Sequence, residues 1–175
     1  MRPLDALLAV ARLCDGLNDA VGRSARWLTV GMVVVQFAVV VLRYVYGTSY
    51  IWVQELVIYV HAAVFMLGAG YTLLRDGHVR VDVFYSEMRA TAKAWVDFAG
   101  TLLLLIPSCV VLLLYTWDFV AKSWAILEGP MSIGGIPAVY LLKTLIPLFA
   151  GLLLLQGVSL AIRSLAEAVR GRAGA

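Results

Sequence analysis

The chain has 175 residues, is 62% hydrophobic and only 14% charged, and carries a formal net charge of +3. Its mean hydropathy of +0.90 does not suit an ordinary water-soluble domain, and so slight a basic excess does not suggest a nucleic-acid partner. Cys14 and Cys109 are too few and too far apart for a disulfide framework, and Cys109 reads as a small apolar filler.

Residues 1–26 come first and carry charges throughout. They lack the continuous apolar core of a secretory signal. On a helical wheel Asp5, Arg12, Asp15, Asp19, Arg23 and Arg26 share one arc, and Leu7, Val10, Ala11, Cys14, Leu17 and Val21 lie across from it. This pattern predicts an amphipathic helix lying in the membrane interface, with a solvated tail as the alternative.

Four apolar blocks follow. Residues 27–42 run up to Arg43, residues 56–74 are broken only by His61, and residues 98–117 and 144–162 hold no charge at all. A hydrocarbon core about 30 Å thick takes about 20 residues of helix. The chain is therefore expected to be one all-α integral membrane domain over 1–175, with four transmembrane helices near 27–46, 51–74, 95–117 and 137–162. Gly47, Thr48 and Ser49 suit a tight turn between the first two spans. Gly77 is expected to end the second span in a left-handed conformation. Val79, Val81 and Val83 alternate with His78, Arg80 and Asp82, as in an extended strap with one apolar face. Ser86 and Glu87 suit the start of the third helix. Pro107 and Pro147 fall inside the third and fourth spans, and residues 127–137 form a Gly/Pro-rich loop.

Basic residues mark the cytoplasmic side of a membrane protein. Eleven of the fourteen lie in the N-terminal tail (Arg2, Arg12, Arg23, Arg26), between the second and third spans (Arg75, Arg80, Arg89, Lys93) or at the C-terminus (Arg163, Arg170, Arg172). Both termini are expected inside, with short outward connections near 47–50 and 118–136.

Glu55 stands near the outward start of the second span, where an ionised carboxylate needs a partner or water. Arg43 closes the first span on the same side. A structural Arg43–Glu55 pair is one reading, and an ion or proton site at Glu55 is the other. Trp52 and Tyr59 give Glu55's face an interfacial aromatic anchor. Gln54, His61 and Gly68 recur every seven residues as a stripe suited to packing on another helix, with Gly68-Ala69-Gly70 allowing close helix approach. Lys143 lies little more than a turn inside the fourth span and can snorkel outward. His61 and His78 are 17 positions apart, about 25 Å along a helix, which excludes one bis-His haem within the chain. There is no Ser/His/Asp set, zinc motif or phosphate-binding glycine loop, so neither an enzyme nor a cofactor is expected. An accessory subunit beside a larger membrane chain fits better than a complete transporter, which usually shows repeats and broken helices. An autonomous small ion-coupled transporter or channel using Glu55 is the alternative.

The stretches "WVQEL" (52–56), "FMLGAGYTLLRDGHVRVDVFY" (65–85) and "GGIPAVYLLKTLIPL" (134–148) resemble the small membrane subunit of tripartite ATP-independent periplasmic (TRAP) transporters, the DctQ type. The similarity runs from the first span to the fourth. Trp52 and Glu55 match the outer hairpin motif, and Gly77, His78, Val81 and Asp82 match the cytoplasmic one. The resemblance implies a bacterial inner-membrane complex in which a periplasmic substrate-binding protein of the DctP type captures an organic acid. A large membrane subunit of the DctM type then moves it by an elevator motion, usually driven by sodium. The small subunit looks like a scaffold holding neither substrate nor ion, with lipids and the large subunit around it and outward loops that help receive the periplasmic protein. Some relatives fuse the two membrane subunits, whereas this chain ends soon after Ile162 and is expected to be a separate subunit. "SWAILEG" (123–129) and Lys143 resemble a subgroup associated with monocarboxylates or 2-oxo acids rather than C4-dicarboxylates or sialic acid. On this resemblance Arg43, Trp52, Glu55, His61, Gly68, Gly77, His78, Asp82 and Lys143 are the structural and interface candidates.

Overall fold

The computed structural model describes residues 3–78, 85 and 87–173, with side chains for 5–78, 85 and 87–169. Those residues build four long helices and, among themselves, no strand. They are α1 (Pro3–Tyr44), α2 (Ile51–Leu74), α3 (Ala90–Ala125) and α4 (Val139–Ala173). Each is long and apolar enough to cross a membrane. The α1–α2 turn and the α3–α4 loop form one end of the bundle, the hairpin end. The opposite, terminal end carries the first half of α1, the end of α2, the start of α3 and the last part of α4.

The residues expected to form a separate interfacial helix are continuous with the first span from Pro3 onward. At about 1.5 Å per residue the 42 residues of α1 rise about 63 Å, twice the hydrocarbon thickness. The buried face of its first half is Ala11, Cys14, Asp15, Asn18, Gly22 and Ala25, spaced three and four apart, whereas Leu7, Val10, Leu13 and Leu17 are exposed. Asp15 therefore does not share the open face of Arg12. The reason is the partner: small residues let helix backbones approach closely, and bulky aliphatic chains lose nothing by facing lipid.

Two glycines set the approach of α2. A Cβ on Gly22 would overlap the Tyr71 side chain, and one on Gly70 would overlap Asn18 while meeting the Leu152 carbonyl. Of the Gly68-Ala69-Gly70 stretch expected to allow close approach, Gly70 makes the contact and Gly68 has open space around it. Both α2 and α3 end in a hydrogen-bonded reversal whose left-handed residue is not glycine. At the end of α2 that residue is Asp76, at φ 59°. Its N–H reaches the Leu73 carbonyl and the Gly77 N–H reaches the Thr72 carbonyl at 2.9 Å. The left-handed position is thus one residue earlier than expected. Gly77 is needed instead because a Cβ there would press on the Thr72 side chain. At the end of α3, Leu127 (φ 46°) and Glu128 repeat the pattern on Trp124 and Ser123.

Within α3 residues Thr101–Leu105 form a π-helical turn, in which the Ile106 N–H reaches the Thr101 carbonyl. Pro107 then falls at the beginning of the α-helical stretch Ile106–Ala125, where its missing N–H and its ring are accommodated. Pro147 lies inside α4. Helix α4 is the hub, because α1, α2 and α3 all pack on it, and α1 also packs on α2. A third of its most apolar window is buried, against 6% for α1 and for α2. The α1–α2 pair therefore lies on one side of α4 and α3 on another.

Candidate functional site

Polar groups gather at the two ends of the bundle. At the hairpin end Glu55, in the first turns of α2, accepts the backbone N–H of Ile136 through Oε2 at 2.7 Å. Gly135 lies so close to this carboxylate that a Cβ would crowd both its oxygens. The carboxylate thereby pins the Gly-Gly-Ile-Pro approach to α4. The Arg43–Glu55 pair does not form: Arg43 is exposed, and the loop backbone takes the place expected for its guanidinium. Trp52 is about half exposed at this end, and Gln54 turns back to the Ser49 hydroxyl at 2.7 Å.

Lys143 is paired rather than reaching outward alone. Its Nζ meets Glu128 Oε2 at 2.5 Å and lies 4.1 Å from the centre of the Phe119 ring. The Ser123 hydroxyl donates to the same Glu128 oxygen at 2.6 Å. The Lys143 hydrogen bond, followed by that of Ser123, holds the Glu128 carboxyl below the usual glutamate range. Trp124 donates its indole N–H to Thr144 Oγ1 at 2.8 Å and stacks edge-on with Tyr140. The α3–α4 loop is fastened at both of its feet and to α2, while Met131 and Ile133 at its tip are fully exposed.

At the terminal end Asp15 is the hub. Its Oδ1 accepts Gln156 Nε2 at 2.9 Å and Ser159 Oγ at 2.6 Å, and its Oδ2 is paired with Arg163. Asn18, fully buried, donates to the carbonyls of Cys14 and Leu152. Asp19 pairs with Arg23 one turn on and with Arg75 at the end of α2, both at 2.8 Å. The Asp19 hydrogen bond raises the pKa of the Arg75 guanidinium further. Tyr85 donates to Asp97 Oδ2 at 2.7 Å, which ties the α2–α3 connection to α3. His78 lies beyond the end of α2 and is exposed. Asp82 and the valine alternation at 79–83 lie outside the described residues.

His61 is exposed and lines a groove between α1 and α2, and a Cβ on Gly68 would meet open space. Sequence reasoning missed Ser159, Gln156, Glu128, Asn18 and Gly22. The polar run Gln156, Ser159, Arg163 on α4, at helical spacing, is a signal that could have found the Asp15 partners.

The chain matches the family of "Tripartite ATP-independent periplasmic transporters, DctQ component" over residues 32–167, more than three quarters of its length. It belongs to the DctQ family. No curated protein matches the chain. The four apolar helices are accordingly those of a TRAP transporter small membrane subunit, and both end clusters are features of a multi-pass transporter component. The match begins at Met32, so the Asp15 hub joins a part of α1 outside the matched region to the α4 residues Gln156, Ser159 and Arg163 within it.

Proposed function

We propose that this chain is the non-transporting scaffold of a bacterial inner-membrane TRAP transporter. It braces a large DctM-type membrane subunit during cation-driven uptake, with sodium as the coupling ion. The cargo is an organic acid of the monocarboxylate or 2-oxo acid class, delivered by a DctP-type periplasmic protein. Both termini and the 75–93 region face the cytoplasm, a reading that the distribution of basic residues supports. The exposed leucines in the first half of α1 lie against the membrane on that side. The exposed tip of the α3–α4 loop faces the periplasm and is available to the binding protein.

One observation carries the scaffold reading over an autonomous transporter. Glu55, the acid on which an ion or proton path would depend, is engaged in holding loop backbone through Ile136. Asp15 and Glu128 are likewise engaged in joining elements. A transported ion needs ligands that can release it, whereas these carboxylates fix helices and loops in place.

The test is reconstitution. Vesicles holding this chain alone take up no organic acid, and adding the large subunit and the binding protein restores uptake. Transport by the chain alone overturns the reading.

A further inference from the structure

The α1–α2 pair leaves a groove of about 570 Å³ along its side. Its wall is apolar, including Met32, Val33, Phe37 and Val57, but two hydrogen-bonding side chains, Gln36 and His61, also line it. Both are exposed, as are Val33 and Phe37. Gln36 stands eight residues before the end of α1 and His61 ten residues after the start of α2. At about 1.5 Å per residue these positions are about 12 and 15 Å from the hairpin end, near the middle of a core about 30 Å thick.

Hydrocarbon cannot serve an amide or an imidazole at that depth. Each would lie bare against acyl chains, losing the hydrogen bonds that water gives it elsewhere. An acyl chain could cover the apolar wall and would leave both polar groups unserved. The groove therefore suits a transmembrane helix that brings both apolar surface and a hydrogen-bonding side chain, the combination that joins helices in membranes. The family is a component of a tripartite assembly, so a different membrane chain is the occupant its membership supplies.

We infer that the α1–α2 groove is the seat of a transmembrane helix of the large subunit, held by hydrogen bonds from Gln36 and His61. This rests on the scaffold reading above and adds the face and the two residues that make the attachment. A neutral imidazole and a carboxamide each donate and accept, so the complementary side chain is a hydroxyl, amide or carboxyl group at matching depth.

The experiment uses the full complex. Gln36→Leu and His61→Leu make the helices more apolar, so the variant chain still inserts, and His61→Gln keeps a donor and an acceptor. Recovery of the large subunit with the tagged chain in detergent falls about tenfold in the Leu/Leu double variant, on the scale of two intramembrane hydrogen bonds, and largely returns with His61→Gln in the Gln36 background. A photocrosslinker at Phe37 joins the chain to the large subunit. Undiminished recovery with the double variant overturns the inference, as do Phe37 crosslinks to lipid or to a second copy of this chain. In those cases an intact wild-type complex leaves the scaffold reading standing. Failure of the wild-type chain to retain the large subunit overturns both.

Discussion

Glu55 Oε2 and the backbone N–H of Ile136 are 2.7 Å apart, so a carboxylate at the start of α2 holds the stretch of chain that leads into α4. The two residues are 81 positions apart in sequence. Arg43, which faces Glu55 across the α1–α2 turn in a sequence reading, has no part in the contact.

Replacing Glu55 separates the structural role from an ion-binding one. Glu55→Ala removes the acceptor and destabilises the closed loop by about 1–2 kcal/mol, seen as faster amide exchange over residues 128–138. Glu55→Gln keeps a carbonyl acceptor and retains most of the protection and the uptake. Arg43→Ala changes neither. Loss of uptake in Glu55→Gln with loop protection intact would point to an ion site instead.

The Glu128–Lys143 contact sets a pH dependence at the foot of the same loop. Because the folded-state pKa of Glu128 is lowered, its contribution is fully present above the ordinary glutamate value and is lost as pH falls through the depressed one. Loop protection is therefore flat across neutral pH and weakens only in strong acid. Lys143→Met removes the hydrogen bond that chiefly lowers this pKa, so the acid transition moves to higher pH, measured by exchange against pH.

At the terminal end, Asp15→Ala strands the Gln156 amide, the Ser159 hydroxyl and the Arg163 guanidinium together. A cost of about 2–4 kcal/mol follows, with Arg163's partial exposure keeping it below that of a fully buried ion pair. Thermal unfolding of the purified chain in detergent reads this as a lowered midpoint. Asp15→Asn retains an acceptor and falls between the two, whereas Arg12→Ala, on the exposed face, stays near wild type.

The glycines give a positional test. Gly70→Ala and Gly22→Ala force α2 away from α1, and Gly70→Ala also crowds α4, so each lowers stability by about 1–3 kcal/mol. Gly68→Ala, with open space around it, is neutral within about 0.5 kcal/mol or slightly stabilising in the same melting assay.

The four apolar helices were legible because apolar blocks of membrane length announce themselves without knowledge of neighbours. Gly77 was legible as a helix-end residue, although its place in the reversal was off by one. A glycine after a helix invites the left-handed assignment, and here Asp76 takes that conformation while Gly77 makes room for Thr72. Asp15 was illegible for a different reason. A helical wheel sees only the residues of one helix, and grouped it with Arg12 and Asp19, while its partners lie more than 140 positions away on α4. Glu55 was recognised as an acid in need of a partner, but a backbone N–H in a glycine-rich loop leaves no side-chain signature. Gly68-Ala69-Gly70 was legible as a place of close approach, but which of its glycines meets a neighbour depends on the helix crossing. His61 was visible as an anomaly in an apolar helix, and the structure leaves it exposed beside the α1–α2 groove.

On the scaffold reading, this DctQ-family chain supports transport without performing it. The most direct measurement is uptake of radiolabelled monocarboxylates and 2-oxo acids into vesicles under an inward sodium gradient, with the chain reconstituted alone and then with its large subunit and binding protein. The chain alone is expected to give no uptake above empty vesicles, and the full set to give sodium-dependent uptake. Gradient-driven uptake by the chain alone, abolished by Glu55→Gln, would contradict the scaffold reading.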